Sequence, residues 1–271
     1  MKKVFSIIFA ITIMLSLGTN VFAAETGNTV KIGNYDSLTG LIWEEGTENP
    51  LADFGPDIIE WLSWYNSLAE EEQLAVNYWP AELGSRMLTE QTSVISATEA
   101  NSFENKITSF SAAEKMPTGR YELSYNQTYW DEKVNYANCY AYSMNVISTT
   151  EYHKLQPGEV SGNTYKLTCT SIFDCAKADG PKLGNGRTIR KSSYSEVPGV
   201  NEYKVALVIT PNVDYHWYRQ DSDGGWSHKR GLTKIGYKDA SDKYIYDPQT
   251  CDRNYSGANY STWCGYYIVT Y

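Results

Sequence analysis

Histidine is scarce in this chain, three among 271 residues, and no Cys-x-x-Cys or Cys/His pair stands at zinc spacing. A structural or catalytic zinc centre therefore has no local signature, and no metal or cofactor is expected. No Gly-rich nucleotide loop and no Gly-x-Ser-x-Gly elbow occurs, which removes the usual marks of nucleotide-dependent transfer and serine hydrolysis. Basic side chains are outnumbered, 23 Lys and Arg against 32 Asp and Glu, for a net charge of −9. A phosphate backbone wants a basic face, so nucleic acid is not an expected partner. Long apolar runs are also missing. The one candidate, Val4 to Leu17, has 14 residues, short of the roughly 18 needed to cross a bilayer.

That run has a meaning of its own. Lys2 and Lys3 precede it, and Val21-Phe22-Ala23-Ala24 follows, ahead of the polar Glu25. A basic start, an apolar middle and small residues before a polar segment make up a secretion signal. Cleavage is expected after Ala23, with Ala24 the close alternative. The product would be secreted, or held at the cell surface, with no stable membrane insertion. Loss of two of the 23 basic side chains leaves 21 against 32 acids, a net charge of −11.

Tyrosine is abundant, 23 residues, beside 8 Trp. Such side chains bury area while keeping a polar tip, and they suit strands as well as ligand-binding surfaces. Five cysteines follow the leader, in a compartment where disulfides persist. Local pairing as Cys169–Cys175 and Cys251–Cys264 would close two short loops and leave Cys139 free.

The texture of the chain changes near residue 120. Ahead of it, Ile58, Trp61, Leu62 and Tyr65 share one helical face, and Pro56 suits a helix start. Ser67-Leu68-Ala69-Glu70 reads as a capping box opening a second helix that runs through Tyr78 to a stop at Pro80. A short helix or turn follows from Ala81, and residues 91–118 read as a Ser/Thr-rich linker. Residues 24–118 are thus expected to form a separable helical segment, a propeptide or an accessory domain. From 119 to 271 the pattern gives a strand at 121–130, a short helix from Asn138, and strands at 164–170, 203–210, 215–220, 226–228, 243–246 and 266–270. One helix followed by many strands indicates an α+β domain with a mainly antiparallel sheet.

Three local features could carry chemistry. Cys139 would lie in the first turn of the helix capped by Asn138, where unpaired N–H groups favour a thiolate; a buried, inert thiol is the alternative. His216 and His228 would flank a hairpin turning at Asp223, with Tyr218 opposite His228 and Gln220 opposite Trp226, which places both imidazoles diagonally on one face. The Asp221-Ser222-Asp223-Gly224 fragment lacks the rest of a calcium loop and is explained by that turn. Asp247, closing a strand before Pro248, could orient an imidazole or simply open a turn.

The order Cys139, His216, Asp247 resembles that of papain-like cysteine peptidases and amidases. The segment Ile245-Tyr246-Asp247-Pro248 is similar to the Asp-Pro strand of their bacteriocin-processing branch. Asn138-Cys139-Tyr140-Ala141-Tyr142 and the stretch from Tyr215 to Lys229 also resemble a group of uncharacterised secreted bacterial proteins. Over residues 125–271 this resemblance implies a papain-like fold, half helical and half antiparallel sheet, and a thiol hydrolase. Cys139 would attack an amide carbonyl of a peptide, protein or cell-wall peptide, His216 would carry the proton, and Asp247 would hold the imidazole. His228 is the alternative base. The family's oxyanion glutamine usually lies six residues before the cysteine, where this chain has Lys133, so Gln127, Asn138 or backbone N–H groups would take that role. The contrasting reading is a non-catalytic secreted binding or adhesion module that uses a Tyr/Trp-rich surface.

Overall fold

The computed structural model describes residues 32–35, 42–44, 52, 54–83, 94–97 and 115–271. The leader, its cleavage point and most of residues 84–114 lie outside them. The chain divides into two compact units, Met1–Ser67 and Leu68–Tyr271.

In the first unit, strands β1 (Ile32–Tyr35) and β2 (Ile42–Glu44) pair antiparallel. Helix α1 spans Pro56–Ser67, begins on its proline and buries Ile58, Trp61, Leu62 and Tyr65, the face that the spacing marks. The capping box does not form at Ser67. Its Oγ donates back to the Trp64 carbonyl at 2.6 Å, inside α1. Helix α2 of the second unit starts later, at Glu70–Ala75, and Glu72 reaches back to accept from Ala69 N–H at 3.0 Å.

The second unit is mixed helix and antiparallel sheet, as the sequence indicates. Strands β3 (Val94–Ser96) and β4 (Val146–Ser148) form a small pair, so part of the expected linker is built into the fold. The main sheet has six antiparallel strands in the order β5-β10-β6-β7-β8-β9. These are β5 (Thr188–Ser192), β6 (Glu202–Thr210), β7 (Asp214–Gln220), β8 (Trp226–Lys229), β9 (Ile235–Gly236) and β10 (Thr262–Thr270). Strands β6 to β9 run as a meander, and β10 returns to fill the place between β5 and β6. Period-two alternation separates two apolar clusters. Tyr203, Val205, Leu207, Tyr215, Trp217 and Tyr267 belong to one, with helices α4 (Cys139–Ser143) and α5 (Cys169–Asp179). Ala206, Val208, Tyr218, Trp226 and Tyr266 belong to the other, with Ile245, Ala258 and Tyr260 of the long 237–261 excursion. Because both faces are covered, β7 and β8 are buried along their whole lengths.

Several elements differ from the sequence reading. Residues 121–130 hold no strand. Asn126 accepts from Tyr129 N–H and starts helix α3 (Gln127–Glu132). Thr168 likewise caps α5 where a strand was expected, accepting from Ser171 N–H at 3.3 Å. Helix α4 ends at Ser143, because Asn145 takes a left-handed φ of 51° and the β-branched Val146 and Ile147 enter β4. Residues 243–246 contribute only an isolated bridge, Lys238 to Tyr244.

The disulfide is Cys169–Cys264, with Cα atoms 5.2 Å apart, and Cys139, Cys175 and Cys251 are free thiols. This corrects both expected local pairs. Cys169 and Cys175 lie on one helix, six residues apart, which separates them by about 9 Å along its axis and exceeds the reach of about 7 Å for a bridge. Cys264 is freed to point at α5 by a bulge: Trp263 pairs with Val208 and Gly265 with Leu207, leaving Cys264 as the extra residue. Gly265, at φ 133°, supplies the backbone that the bulge needs.

Candidate functional site

Cys139 is the first residue of α4, and Asn138 caps that helix, its Oδ1 accepting from Ala141 N–H at 3.2 Å while Nδ2 donates to the Leu155 carbonyl at 2.9 Å. The placement matches the sequence reading; the environment does not. Cys139 is fully buried. Burial, and after it the carboxylate of Asp214, pushes the thiol well above the usual range, further than backbone hydrogen bonds from Trp217 and Tyr140 and the charge of Lys229 pull it back. A five-residue helix adds little field to offset this.

The histidine hairpin folds in the expected register, Tyr218 opposite His228 and Gln220 opposite Trp226. Its tip is a tight turn in which Gly224 takes φ 84° and donates to the Asp221 carbonyl at 2.9 Å. His216 and His228 share a face as argued, and they meet: His216 Nε2 lies 2.9 Å from His228 Nδ1. His228 Nε2 lies 3.1 Å from the Lys238 carbonyl, which can only accept. His228 therefore carries its proton on Nε2, and its Nδ1 accepts from His216 Nε2–H. That leaves His216 Nδ1 as an acceptor, 3.4 Å from Asn77 Nδ2. Both rings are neutral in this chain of donors. Burial, then the neighbouring imidazole of His228 and the charge of Arg230, holds His216 well below the usual histidine range, and burial, then Arg230, takes His228 down to about 3.

Asn77 organises the centre. Its Oδ1 accepts from Cys139 N–H at 3.2 Å and Gly231 N–H at 2.9 Å, which fixes the amide orientation and turns Nδ2 toward His216. Its own N–H and that of Tyr78 donate to Asp214 at 3.1 and 2.6 Å, and Tyr260 Oη donates to the same carboxylate at 2.7 Å. Burial raises the Asp214 pKa despite these three donors. The segment around Asn77 is held from every side. Lys154 Nζ donates to the Gln73 and Val76 carbonyls, Leu232 N–H to the Leu74 carbonyl, and Gln156 Nε2 to the Asn77 carbonyl. Gly231 admits this approach: at φ 47°, an added Cβ would stand 1.9 Å from the Leu74 oxygen.

Asp247 belongs to a different neighbourhood. It accepts from Tyr266 Oη and, at 2.8 Å, from Gln249 N–H. It opens a turn, and the acid in contact with the Asn77 network is Asp214. Gln127 is exposed at the start of α3, its Nε2 donating to Asp131 at 3.4 Å. The Asn138 side chain is engaged at both ends, its Oδ1 in capping α4 and its Nδ2 on the Leu155 carbonyl. Two hollows of about 170 and 620 Å³ lie beside the disulfide and along residues 162–175, and neither is lined by Cys139, His216 or His228. The structure thus brings Cys139, His216 and His228 around Asn77, leaves Asp247 and Gln127 elsewhere, and seals the group from solvent. Asn77 and Asp214 escape sequence reasoning because neither stands in a motif; the only local signal is Trp79-Pro80, which disfavours helix at the residue before the proline.

The aromatic surface of the contrasting reading is likewise mostly interior. Trp61, Trp79, Trp130, Trp217 and Trp226 are buried, and among the described tyrosines only Tyr121, Tyr152 and Tyr194 are strongly exposed. No helix among the described residues is long and apolar enough to cross a membrane, and no group of them is arranged to hold a metal ion.

No family model matches the chain, and no solved structure matches it. It is 34% identical over 117 residues to insoluble matrix shell protein 1 of the mollusc Ruditapes philippinarum, an alignment covering 43% of this chain and 70% of that protein. This finding overturns the expectation of a bacterial thiol hydrolase, since the kinship is to a protein named for an insoluble shell matrix and not to a peptidase. The non-catalytic alternative agrees better with it, and with a sealed thiol. On that match, the chain belongs to the family of insoluble matrix shell protein 1.

Proposed function

We propose that this protein is a secreted, non-catalytic structural component of an insoluble extracellular matrix. The observation that carries the reading is the kinship to insoluble matrix shell protein 1. The neutral, fully buried Cys139 and His216 support it. The apolar leader at residues 4–17 and the Cys169–Cys264 bridge support an oxidising, extracellular destination. Its partners would be other matrix macromolecules, its own copies included. The acidic balance disfavours polyanions such as nucleic acid.

The scaffold itself we infer to be papain-like, now serving as architecture. A helix with Cys139 in its first turn packs on an antiparallel sheet whose strand β7 bears His216, and this order supports the inference. The interior of such a scaffold is used here for hydrogen bonding, with Asn77 at its centre. Sequential extraction of the producing organism's extracellular material tests the function. The protein should remain in the residue after salt and detergent washes. Recovery in the freely soluble secretion would refute the proposal.

A further inference from the structure

A protein in an insoluble matrix needs a means of staying there, and this fold offers few covalent ones. The thiols are poorly placed: Cys139 and Cys175 are buried, and burial pushes Cys251 up to about 12. The outer strand β5 does not suit self-pairing either. Its Arg190 and Lys191 would meet like charges across a two-fold axis, and Arg190 is already engaged by Glu196 and Glu202.

Tyrosine is different. Among the described residues, ten tyrosines are buried and nine are half-buried. Tyr121, Tyr152 and Tyr194 stand out at 50, 46 and 47% exposure. They lie on separate surface loops: Tyr121 precedes α3, Tyr152 follows β4 at a left-handed φ of 60°, and Tyr194 follows β5. None of their phenol oxygens is held by a hydrogen bond among the described residues.

We propose that Tyr121, Tyr152 and Tyr194 are modification sites, oxidatively coupled between copies of this protein by a haem peroxidase using hydrogen peroxide. Each phenol gives up one electron and one proton. Two phenoxyl radicals then join through their ortho carbons and rearomatise. In net terms two C–H bonds break, one C–C bond forms, and the peroxide O–O bond is reduced to two waters. The number of sites matters. One per molecule would end in dimers and two in linear chains, whereas three permit branching, which is what an insoluble network requires. This inference rests on the matrix reading above and gives it a mechanism.

The test treats the full-length secreted chain with a haem peroxidase and dilute hydrogen peroxide. Products are read on reducing gels, by dityrosine fluorescence and by mass-spectrometric mapping of linked peptides. The wild type should pass through dimers to material that no longer enters the gel. A variant keeping Tyr194 alone, with Tyr121→Phe and Tyr152→Phe, should stop at dimers. With Tyr194→Phe added it should remain monomeric; each change keeps the ring, so the fold is retained. Polymerisation of the triple variant like the wild type, or links mapping mainly to other tyrosines, would overturn the inference. In matrix extracts, protein retained in the residue but free of dityrosine peptides also overturns it while leaving the matrix reading intact. Protein absent from the residue defeats that reading instead.

Discussion

The Nε2 atom of His216 donates to Nδ1 of His228 across 2.9 Å, the central link of the buried network that Asn77 organises. It passes a proton direction from Asn77 through two neutral imidazoles to the Lys238 carbonyl. Protonating either ring would set two N–H donors against each other, or one against the Asn77 amide. The pair is a structural device that works only while uncharged.

Acid should therefore weaken the fold. The unfolded chain binds protons on these histidines near pH 6.5, while the folded chain resists, His228 down to about 3. Both folded pKa values are depressed, so their contribution is present in full above about pH 6.5 and is lost as pH falls toward about 3. Urea midpoints should drop between neutral pH and about pH 4, by an amount on the order of a few kcal/mol in stability. A flat profile, or ring resonances of His216 and His228 that titrate near pH 6.5 in the folded protein, would contradict this.

Asn77→Ala should cost roughly 2–5 kcal/mol, since it strips the acceptor from two buried N–H groups and the donor from His216. Asn77→Asp keeps the acceptor but sets a second carboxylate beside Asp214, and should be at least as damaging. Equilibrium unfolding measures both. A change within about 0.5 kcal/mol of the wild type for Asn77→Ala would mean that the network does not hold the domain.

Gly231→Ala tests the same region from the other side. A methyl group there would collide with the Leu74 carbonyl, and φ 47° is unfavourable for alanine. Loss of at least about 2 kcal/mol is expected, again by equilibrium unfolding. A neutral outcome would show that residues 74–76 do not pack against this turn.

Non-reducing peptide mapping should recover Cys169 joined to Cys264, across a sequence separation of 95 residues. A loop of that size implies about 4–5 kcal/mol on the chain-entropy account. Cys169→Ser should lower thermal stability accordingly. A peptide containing Cys169–Cys175 would refute the assigned bridge.

Much of the fold is legible in the residues. The face of α1, the strands of the β6–β7–β8 meander and the register of the histidine hairpin follow from periodicity and turn chemistry, because those elements satisfy their hydrogen bonds locally. Helix α5 escapes detection because threonine-rich residues 164–170 mimic a strand, whereas Thr168 caps a helix that buries Ile172, Phe173, Cys175 and Ala176. The site is legible in part. Composition and order place Cys139 on a helix start and His216 on a strand, but neither can report burial. The acid at the network, Asp214, and its organiser, Asn77, are brought there by contacts more than a hundred residues apart in sequence, which local pattern does not encode.

Alkylation of Cys139 in the folded protein decides most directly whether this interior is architecture. Iodoacetamide applied at neutral pH without denaturant should leave Cys139 unmodified, as expected of a fully buried thiol held well above its usual pKa. After denaturation without reduction, all three free thiols should react, Cys139 with Cys175 and Cys251. Rapid, selective modification of Cys139 in the native state would contradict the account, because it would show an accessible thiolate where the structure has a sealed, neutral core.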